Sequence, residues 1–375
     1  MARFGDLVSR VNTKEDRFNT DKVYYVGGEH IESNELSIHA KGIIEGSTIG
    51  PMFYFGFKAG DILFVTRNPH LRKAAMVEFD GICSEKTLVL ATNDNSILLQ
   101  NYLAIVMQSD DFWEYCEDNK SGGVNYFINW TTLEEYEFDL PPIDEQKKIA
   151  SQVWAAYRLK EAYKRLLVAT DEMMKSQFIE MFGNSTQFVK KKVHDLFCLS
   201  MGKTPSRINS SYWDQDGYEW ASISDMGTWD KYVGKTAEHI SMEAVSSTGI
   251  KPVPKNTIIM SFKLSIGRTC ITTSELYTNE AIMAFLPLTD AYDLDYLHFY
   301  IANFNWNNGA KQAVKGATLN KESIGNSFFI LPPKELQEEF ADIVRQADKS
   351  KYYVQNKLNY ICHILTKQIP LRRCS

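Results

Sequence analysis

The chain has 375 residues, of which 44% are hydrophobic and 23% charged, and its formal net charge is −6. This composition is typical of folded domains and excludes a collagenous, disordered or disulfide-stapled chain. No run of about 18 apolar residues predicts a membrane span. The N-terminus lacks the apolar segment of a secretory signal, and the six cysteines form no CxxC pair. We therefore expect a cytoplasmic protein without a metal site or a membrane partner.

Negative charge is concentrated at the beginning of the chain. Residues 1–142 hold 12 Lys and Arg against 22 Asp and Glu, whereas residues 185–333 hold 14 of each. Affinity for nucleic acid rests largely on positive charge, so the global charge does not favour a nucleic-acid binder. A negative net charge over the whole chain does not exclude local basic loops.

The first block, residues 1–142, has the pattern of an α+β domain rich in antiparallel strands. Short apolar runs bounded by Gly, Pro, Asn and Asp predict strands, and a longer apolar stretch predicts a helix. The predicted strands are Val23–Val26, Ile62–Val65 and Thr87–Leu90, and the predicted helix lies near Leu98–Met107.

A basic loop follows the second of these strands. The segment from Thr66 to Lys73 forms a positive island in the most acidic block, which favours an anion site. Its candidate DNA-binding residues are Arg67, His70, Arg72 and Lys73. The aromatic segment Gly122–Trp130 is a weaker candidate, because such aromatic residues more often belong to a core.

A long amphipathic helix is predicted over residues 143–183. It begins after Leu140-Pro141-Pro142, and its apolar positions alternate in steps of three and four, as in a coiled coil. Proline before the first turn and Gly183 after the last are the usual start and stop signals.

The second block, residues 184–333, and a second long helix over residues 334–370 follow the same plan. The predicted strands are Trp220–Ile223, Thr257–Ser261 and Ala281–Phe285, and a helix is predicted near Tyr296–Ala302. The second long helix begins after Leu331-Pro332-Pro333 and again carries a near-heptad apolar stripe.

The two halves form an internal repeat. LPPIDEQKKIA from Leu140 matches LPPKELQEEFA from Leu331 at an offset of 191, and weaker matches keep offsets of 194 to 196 along the chain. A repeat of this length is a duplicated domain followed by a helix, and not a solenoid unit. We expect the two helices to pack antiparallel, with a pseudo-two-fold relation between the halves.

Three loops of the second block combine Gly or Pro with hydroxyl and basic residues that can contact phosphates or bases. The first runs from Gly202 to Arg207, the second from Lys263 to Arg268, and the third from Lys315 to Lys321. The first loop is followed by Tyr212. The candidate DNA-binding residues in and beside these loops are Lys203, Thr204, Ser206, Arg207, Tyr212, Lys263, Ser265, Arg268, Lys315, Thr318, Asn320 and Lys321. Each loop has the alternative interpretation of a solvated turn.

No catalytic motif accompanies these loops. The sequence contains no phosphate-binding loop of the Walker type, no GxGxxG nucleotide loop, no HExxH or Cys/His metal spacing and no GxSxG elbow. The sequence therefore favours a binding protein over an enzyme.

The whole chain resembles the specificity subunit of type I restriction–modification systems. The motifs that carry the resemblance are Gly202-Lys203-Thr204-Pro205-Ser206, Tyr212-Trp213, Trp220 to Met226, Ser261-Phe262 with Ile266-Gly267-Arg268, the two Leu-Pro-Pro-x-x-x-Gln helix starts, and Met181-Phe182-Gly183. The first block lacks the Gly-x-Thr-Pro loop and looks like a different type of target recognition domain.

The resemblance implies a function and a set of partners. Residues 1–142 and 184–333 would be two target recognition domains that read a bipartite, asymmetric site in double-stranded DNA. The chain would have no catalysis of its own. It would join two methyltransferase subunits, which bind S-adenosylmethionine and modify adenine, and motor–nuclease subunits. The implied partner-interface residues on the two long helices are Gln146, Ile149, Val153, Gln337, Phe340 and Ile343.

Two alternatives remain open at the level of sequence. A tandem-repeat interaction scaffold could have the same helices without binding DNA. An enzyme with a site outside known motifs is the third class.

Overall fold

The computed structural model describes residues 1–263, 265–306, 311–313 and 316–368. These residues form two compact units. The first contains Met1–Leu166 and the segment from Val354 onward, and the second contains Leu167–Tyr353. Both long helices therefore contribute to both units, because each unit boundary falls within a helix.

The first half of the chain begins with a mixed α+β block and ends in the first long helix. Its elements are β1 (Ala2–Arg3), α1 (Phe4–Leu7), β2 (Val8–Val11), β3 (Tyr24–Val26), β4 (Ser37–Ile38), β5 (Gly42–Ile43), β6 (Phe53–Phe57), β7 (Ile62–Val65), β8 (Ala74–Val77), β9 (Gly81–Ser84), β10 (Thr87–Thr92), α2 (Gln100–Val106), α3 (Asp110–Asp118), α4 (Trp130–Leu133), β11 (Glu137–Phe138) and α5 (Ile143–Phe182).

The strands of the first unit form three sheets. A five-stranded sheet has the order β2-β10-β7-β8-β4, a four-stranded sheet has the order β5-β3-β9-β6, and β1 pairs with β11. Most pairs are antiparallel, as predicted, but β3 pairs with β9 and β4 with β8 in parallel. The core lies between the sheets and α2, α3 and α5, and Phe64 and Trp113 stack in it with ring centroids 5.7 Å apart.

The second half of the chain has its own set of elements, which ends in the second long helix. They are β12 (Val189–Lys192), α6 (Val193–Leu196), β13 (Phe197–Met201), β14 (Trp213–Ala221), α7 (Ile223–Met226), β15 (Glu238–Ile240), α8 (Met242–Thr248), β16 (Ile258–Ser261), β17 (Thr269–Ile271), β18 (Tyr277–Thr278), β19 (Ile282–Pro287), α9 (Leu294–Asn303), β20 (Lys311–Ala313), β21 (Gly316–Thr318), α10 (Lys321–Gly325), β22 (Phe328–Leu331) and α11 (Lys334–Gln368).

Sheet topology confirms the internal repeat. The order β13-β19-β16-β17 repeats the order β2-β10-β7-β8, and the pair β12-β22 repeats β1-β11. The parallel pair β14-β18 likewise repeats β3-β9. One predicted strand is shifted: it ends at Ala221, and Ile223 begins α7, because the side chain of Ser222 caps that helix.

The two long helices run antiparallel in the second unit. Near the end of α5, the Phe178 ring lies 5.4 Å from the Phe340 ring near the start of α11. Further along α11, Lys351 forms a 2.7 Å ion pair with Asp171, which lies earlier in α5. The residue of α11 that comes later in the chain thus contacts the residue of α5 that comes earlier, so the two helices run in opposite directions.

The same pairing direction holds in the first unit. Ile361 and Leu365, near the end of α11, belong to the apolar cluster that contains Ala150 and Val153 from the start of α5. The near-heptad stripes predicted from the sequence therefore serve as the buried seam of an antiparallel helix pair.

A glutamine in each Leu-Pro-Pro-x-x-x-Gln motif joins the long helix to its domain. Gln146 has no exposed surface; it accepts a bond from the backbone N–H of Leu99 (3.0 Å) and donates to the carbonyls of Ile97 and Pro141. Gln337 makes the equivalent set with Asp293, Ala291 and Pro332. Leu99 and Asp293 are the N-caps of α2 and α9.

This geometry revises the expected partner-interface residues. Gln146, Val153, Gln337 and Phe340 are buried inside the chain's own core, so their side chains stabilise the junction and are not available to another subunit. Ile149 and Ile343 are half-buried on the same helices.

Candidate nucleic-acid interface

Two of the predicted loops are the same connection in the two repeats. Thr66–Lys73 joins β7 to β8, and Phe262–Arg268 joins β16 to β17, the equivalent strand pair. The offset of 196 that relates β7 to β16 also relates Arg72 to Arg268. Local composition thus selected topologically equivalent positions in both halves.

The loop of the first unit uses part of its positive charge internally. Arg72, in the left-handed region at φ 49°, forms a 2.6 Å ion pair with Asp110, and Lys73 donates to the Gly28 carbonyl at 2.6 Å. His70 is exposed, and the Arg67 guanidinium lies 5.9 Å from the Phe127 ring. Arg67 and His70 are therefore better placed than Lys73 to meet an external ligand.

A glycine-containing hairpin lies beside this loop. Ser121 and Phe127 exchange backbone hydrogen bonds, which closes a tip whose Val124 is 92% exposed. The hairpin is tied to the basic loop because the N–H of Asn68 donates to Tyr126 (2.9 Å) and the N–H of Ile128 to Thr66 (3.0 Å). The structure thus joins the two candidate segments of the first block into one surface.

The equivalent loop of the second unit is more open. Gly267 adopts φ 85°, a conformation that favours glycine, and its N–H donates to the Ser261 carbonyl (3.0 Å). Ser265 and Arg268 are exposed, and Lys263 is half-buried against Phe262. Among the described residues, Arg268 forms no ion pair within 4.0 Å.

The third predicted loop of the second block corresponds to the glycine-containing hairpin of the first. The N–H of Leu319 donates to the carbonyl of Phe262, the counterpart of the bond from Ile128 to Thr66. Asn320 caps α10 through the backbone N–H of Ser323 (2.7 Å), which gives its side chain a structural task. Lys321 is exposed at the start of α10, and Thr318 lies in β21. Lys315 lies outside the described residues.

The Gly202–Arg207 loop is held against the end of the sheet. Gly202 approaches the Thr278 carbonyl so closely that a Cβ there would lie 1.9 Å from the oxygen. Lys203 donates from Nζ to the Thr248 carbonyl at 2.7 Å. The Thr204 hydroxyl donates to the Glu280 carboxylate, and this bond lowers the pKa of Glu280.

Arg207 is anchored within its own domain. It forms a two-pronged ion pair with Glu238 and lies 3.8 Å from the centre of the Trp213 ring. The Trp213 indole donates to the carbonyl of Ser206, and Tyr212 is half-buried beside it. The hydrogen bond from Arg207 lowers the pKa of Glu238, so the pair stays ionised at neutral pH. Arg207 therefore shapes the loop more than it offers a free cation.

The three loops of the second unit meet around the start of β19. Lys203 donates its N–H to Thr278, Thr204 bonds Glu280, and Phe262, which receives the bond from Leu319, donates its own N–H to Ala281. The loops thus form one continuous surface with exposed Ser265, Arg268 and Lys321.

Sequence reasoning missed the matching loop of the first unit. The segment after β2 occupies the topological position of Gly202–Arg207, and it presents exposed Lys14 and an Arg17 that stacks 4.1 Å from the Phe18 ring. Phe18 is itself exposed. The only sequence signal was position, since the segment follows the first strand of the repeat and carries no Gly-x-Thr-Pro motif.

Two negative observations apply to the part of the chain that the structure describes. None of its helices is both long and apolar enough to cross a membrane. No three His, Cys, Asp or Glu side chains within it are grouped so that they could hold a metal ion.

This chain belongs to the family of type I restriction modification DNA specificity domains. The family model matches twice, over residues 8–160 and 186–361, so it covers most of both repeats. The two matches coincide with the two copies of the sheet frame described above.

Two curated relatives are named as specificity subunits of type I restriction enzymes. The chain is 24% identical over 162 residues to the specificity subunit of the type I restriction enzyme MjaIX of Methanocaldococcus jannaschii, a match over 42% of this chain. It is 24% identical over 150 residues to the HindI specificity subunit of Haemophilus influenzae, over 39% of this chain. The matches span 37% and 32% of the length of those relatives.

Solved structures share the fold. The S subunit of a type I restriction-modification system from M. genitalium aligns with a TM-score of 0.60 at 14% identity, over 99% of this chain and 94% of that one. A chain from a structure concerned with complex assembly and conformational transition of the type I R-M system aligns with a TM-score of 0.54 at 17% identity, over 98% and 95%.

Proposed function

We propose that this chain selects the DNA target of a type I restriction–modification complex and has no catalytic activity of its own. One observation carries the proposal: equivalent loops on a duplicated sheet frame present different side chains in the two repeats. A duplicated frame with dissimilar loops suits a target of two unlike halves. Residues 1–142 would read one half and residues 184–333 the other, in double-stranded DNA.

The chemistry of the loops supports base reading. Arginine can bridge guanine O6 and N7, and lysine neutralises phosphates without distinguishing bases. Arg67 and Arg268 are the arginines best placed for such contacts, because Arg72 and Arg207 are each paired with a carboxylate. Lys321 and Lys14 are exposed and suit phosphate contacts.

The long helices would recruit the catalytic subunits. Their exposed faces carry large apolar side chains that a soluble protein usually covers: Leu159, Met173 and Ile179 on α5, and Tyr352 and Tyr360 on α11. We propose that these positions, flanked by Ile149 and Ile343, contact two methyltransferase subunits, which would supply S-adenosylmethionine in the cytoplasm. Motor–nuclease subunits would join for restriction.

Methylation-sensitive sequencing tests the proposal. The chain is expressed with its methyltransferase partner in a host that lacks other adenine methylation, and the partner alone is the control. We expect one motif with two unlike halves around a non-specific spacer. A single continuous motif would contradict the two-domain reading, and methylation that is independent of this chain would favour an interaction scaffold.

A further inference from the structure

An open cleft in the second unit is not used by any contact described above. It has a volume of about 600 Å³ and is lined by Asp225, Thr228, Lys235, Thr236, Ala237 and His239. Asp225 belongs to α7 and His239 to β15, and the other four residues belong to the segment that connects these two elements.

Two residues that line this cleft each have a buried polar atom without a partner among the described residues. Thr236 is 2% exposed, yet its hydroxyl oxygen forms no hydrogen bond, and the same is true of the buried Nδ1 atom of His239. Buried polar atoms almost always have partners, so a pair of unused ones in one polar cleft points to a ligand. A threonine hydroxyl and an imidazole N–H can both donate hydrogen bonds.

The charge of the cleft favours an anion. The Asp225 carboxylate already accepts three hydrogen bonds, from the N–H and hydroxyl of Ser222 and from the N–H of Ala237. Lys235 is exposed at the rim. The Arg268 guanidinium lies against Gly227, which stands between the lining residues Asp225 and Thr228 in the sequence. A Cβ atom added to Gly227 would be 2.9 Å from Nη1 of Arg268. Lys235 thus belongs to the lining and Arg268 lies beside it, while the neighbouring Glu238 carboxylate is already paired with Arg207.

We propose that this cleft binds a phosphate group of the DNA backbone. The inference rests on the proposed function, since it places the cleft at the edge of the surface that contains Arg268. The hydroxyl of Thr236 and the imidazole of His239 would donate to the phosphate oxygens, and Lys235 would neutralise charge. Phosphate contacts of this kind fix the register of a domain on DNA without reading the sequence.

Inorganic phosphate is the first probe. Thermal unfolding of the full chain is measured in phosphate and in chloride at equal ionic strength. We expect phosphate to raise the unfolding midpoint of the wild type and of Lys255→Ala, an exposed lysine outside the cleft. The rise should be lost in Thr236→Val, which keeps the shape of the side chain, and be reduced in Lys235→Ala. An equal rise in all four proteins, or no rise in any, would overturn the site.

DNA binding by the chain with its partner separates the two sources of phosphate. We expect Lys235→Ala to lower the slope of log affinity against log salt by about one and to leave base preference unchanged, whereas Lys255→Ala keeps the wild-type slope. An unchanged slope for Lys235→Ala, with the phosphate effect intact, would assign the cleft to free phosphate and overturn the DNA assignment. A wild type without sequence-specific binding would refute the proposed function, while the phosphate measurement would still decide the site.

Discussion

At the scale of single residues, equivalent positions in the two repeats have different environments. Arg72 and Arg268 are 196 residues apart in matching loops, but Arg72 faces Asp110 whereas Arg268 lies against Gly227. The Arg72 pair is largely exposed, and such pairs contribute about 0–1 kcal/mol. DNA could therefore compete with Asp110 for Arg72. Arg268 has no ion pair among the described residues that DNA would have to replace.

We predict that each of these arginines affects a different half of the target. Arg268→Ala should relax base preference in one half, by about 1–3 kcal/mol if it bridges a guanine, and Arg72→Ala should act on the other half more weakly. Methylation of a randomised-site library by the assembled complex measures both. Lys255→Ala serves as the charge-matched control. If both arginine variants lost base preference in the same half of the target, the assignment of one arginine to each half would be refuted.

At the scale of elements, the repeated glutamine contact secures each long helix to its domain. The amide of Gln337 bonds one N–H and two carbonyls, and two of these partners, Ala291 and Asp293, lie just before α9. An apolar side chain at this position would leave all three groups without a partner in a buried site.

Gln337→Leu should therefore lower the free energy of unfolding by about 2–4 kcal/mol. Denaturant unfolding followed by circular dichroism measures the change. Gln346→Leu, at an exposed position of the same helix, is the matched control and should have little effect. Equal stability of the two variants would show that the buried contact is dispensable.

Ion pairs provide a second link between each domain and its long helix. The domain supplies the carboxylate in the first unit and the lysine in the second. In the first unit, Glu35 bonds Lys160 and Lys164 of α5, at 2.7 and 2.9 Å. In the second, Lys231 of the domain bonds Asp295 (2.6 Å) and Asp348 of α11 (2.7 Å). Lys160 interrupts the apolar stripe of α5 in the sequence, and this contact explains why a cation stands there.

The first of these links should depend on pH. Burial alone would raise the pKa of Glu35, but the hydrogen bonds from Lys160 and Lys164 outweigh it and lower the pKa. The stabilisation is therefore complete above the unfolded value, about 4.3, and is lost as the pH falls through the lower folded value.

We expect Glu35→Gln to cost about 3 kcal/mol at pH 7, because it leaves the buried Lys160 without a counter-charge, whereas Lys164 keeps its ion pair with Glu161. The difference from wild type should shrink below about pH 4. Unfolding free energies measured from pH 7 to pH 3 test this, with the exposed Glu32→Gln as control. A difference that stays constant over that range would argue against an ionic contribution.

At the scale of the whole molecule, charge sets the expected dependence on a partner. The first block carries a net charge of −10 and the second block none. Affinity for DNA rests largely on lysine and arginine that release counterions from phosphates. We therefore predict weak binding by the chain alone and tight binding with the methyltransferase. Equilibrium binding at matched salt compares the two, and similar affinity would contradict the prediction.

The sequence by itself determined the features that depend on local spacing. Steps of three and four placed both long helices and their seam, and the repeated Leu-Pro-Pro-x-x-x-Gln motif marked both helix starts. These signals are readable because helical periodicity and prolines act over a few residues. The basic loop at Arg72 and the Gly267 turn were found for the same reason.

Only the tertiary structure decided which of the marked side chains face outward. Arg207 meets Glu238, Gln146 meets Leu99, and Lys73 meets Gly28, and each partner lies tens of residues away along the chain. The burial of the unpartnered Thr236 hydroxyl is likewise a property of the folded structure. Burial and pairing depend on contacts between distant segments, and composition and spacing within one segment do not encode them.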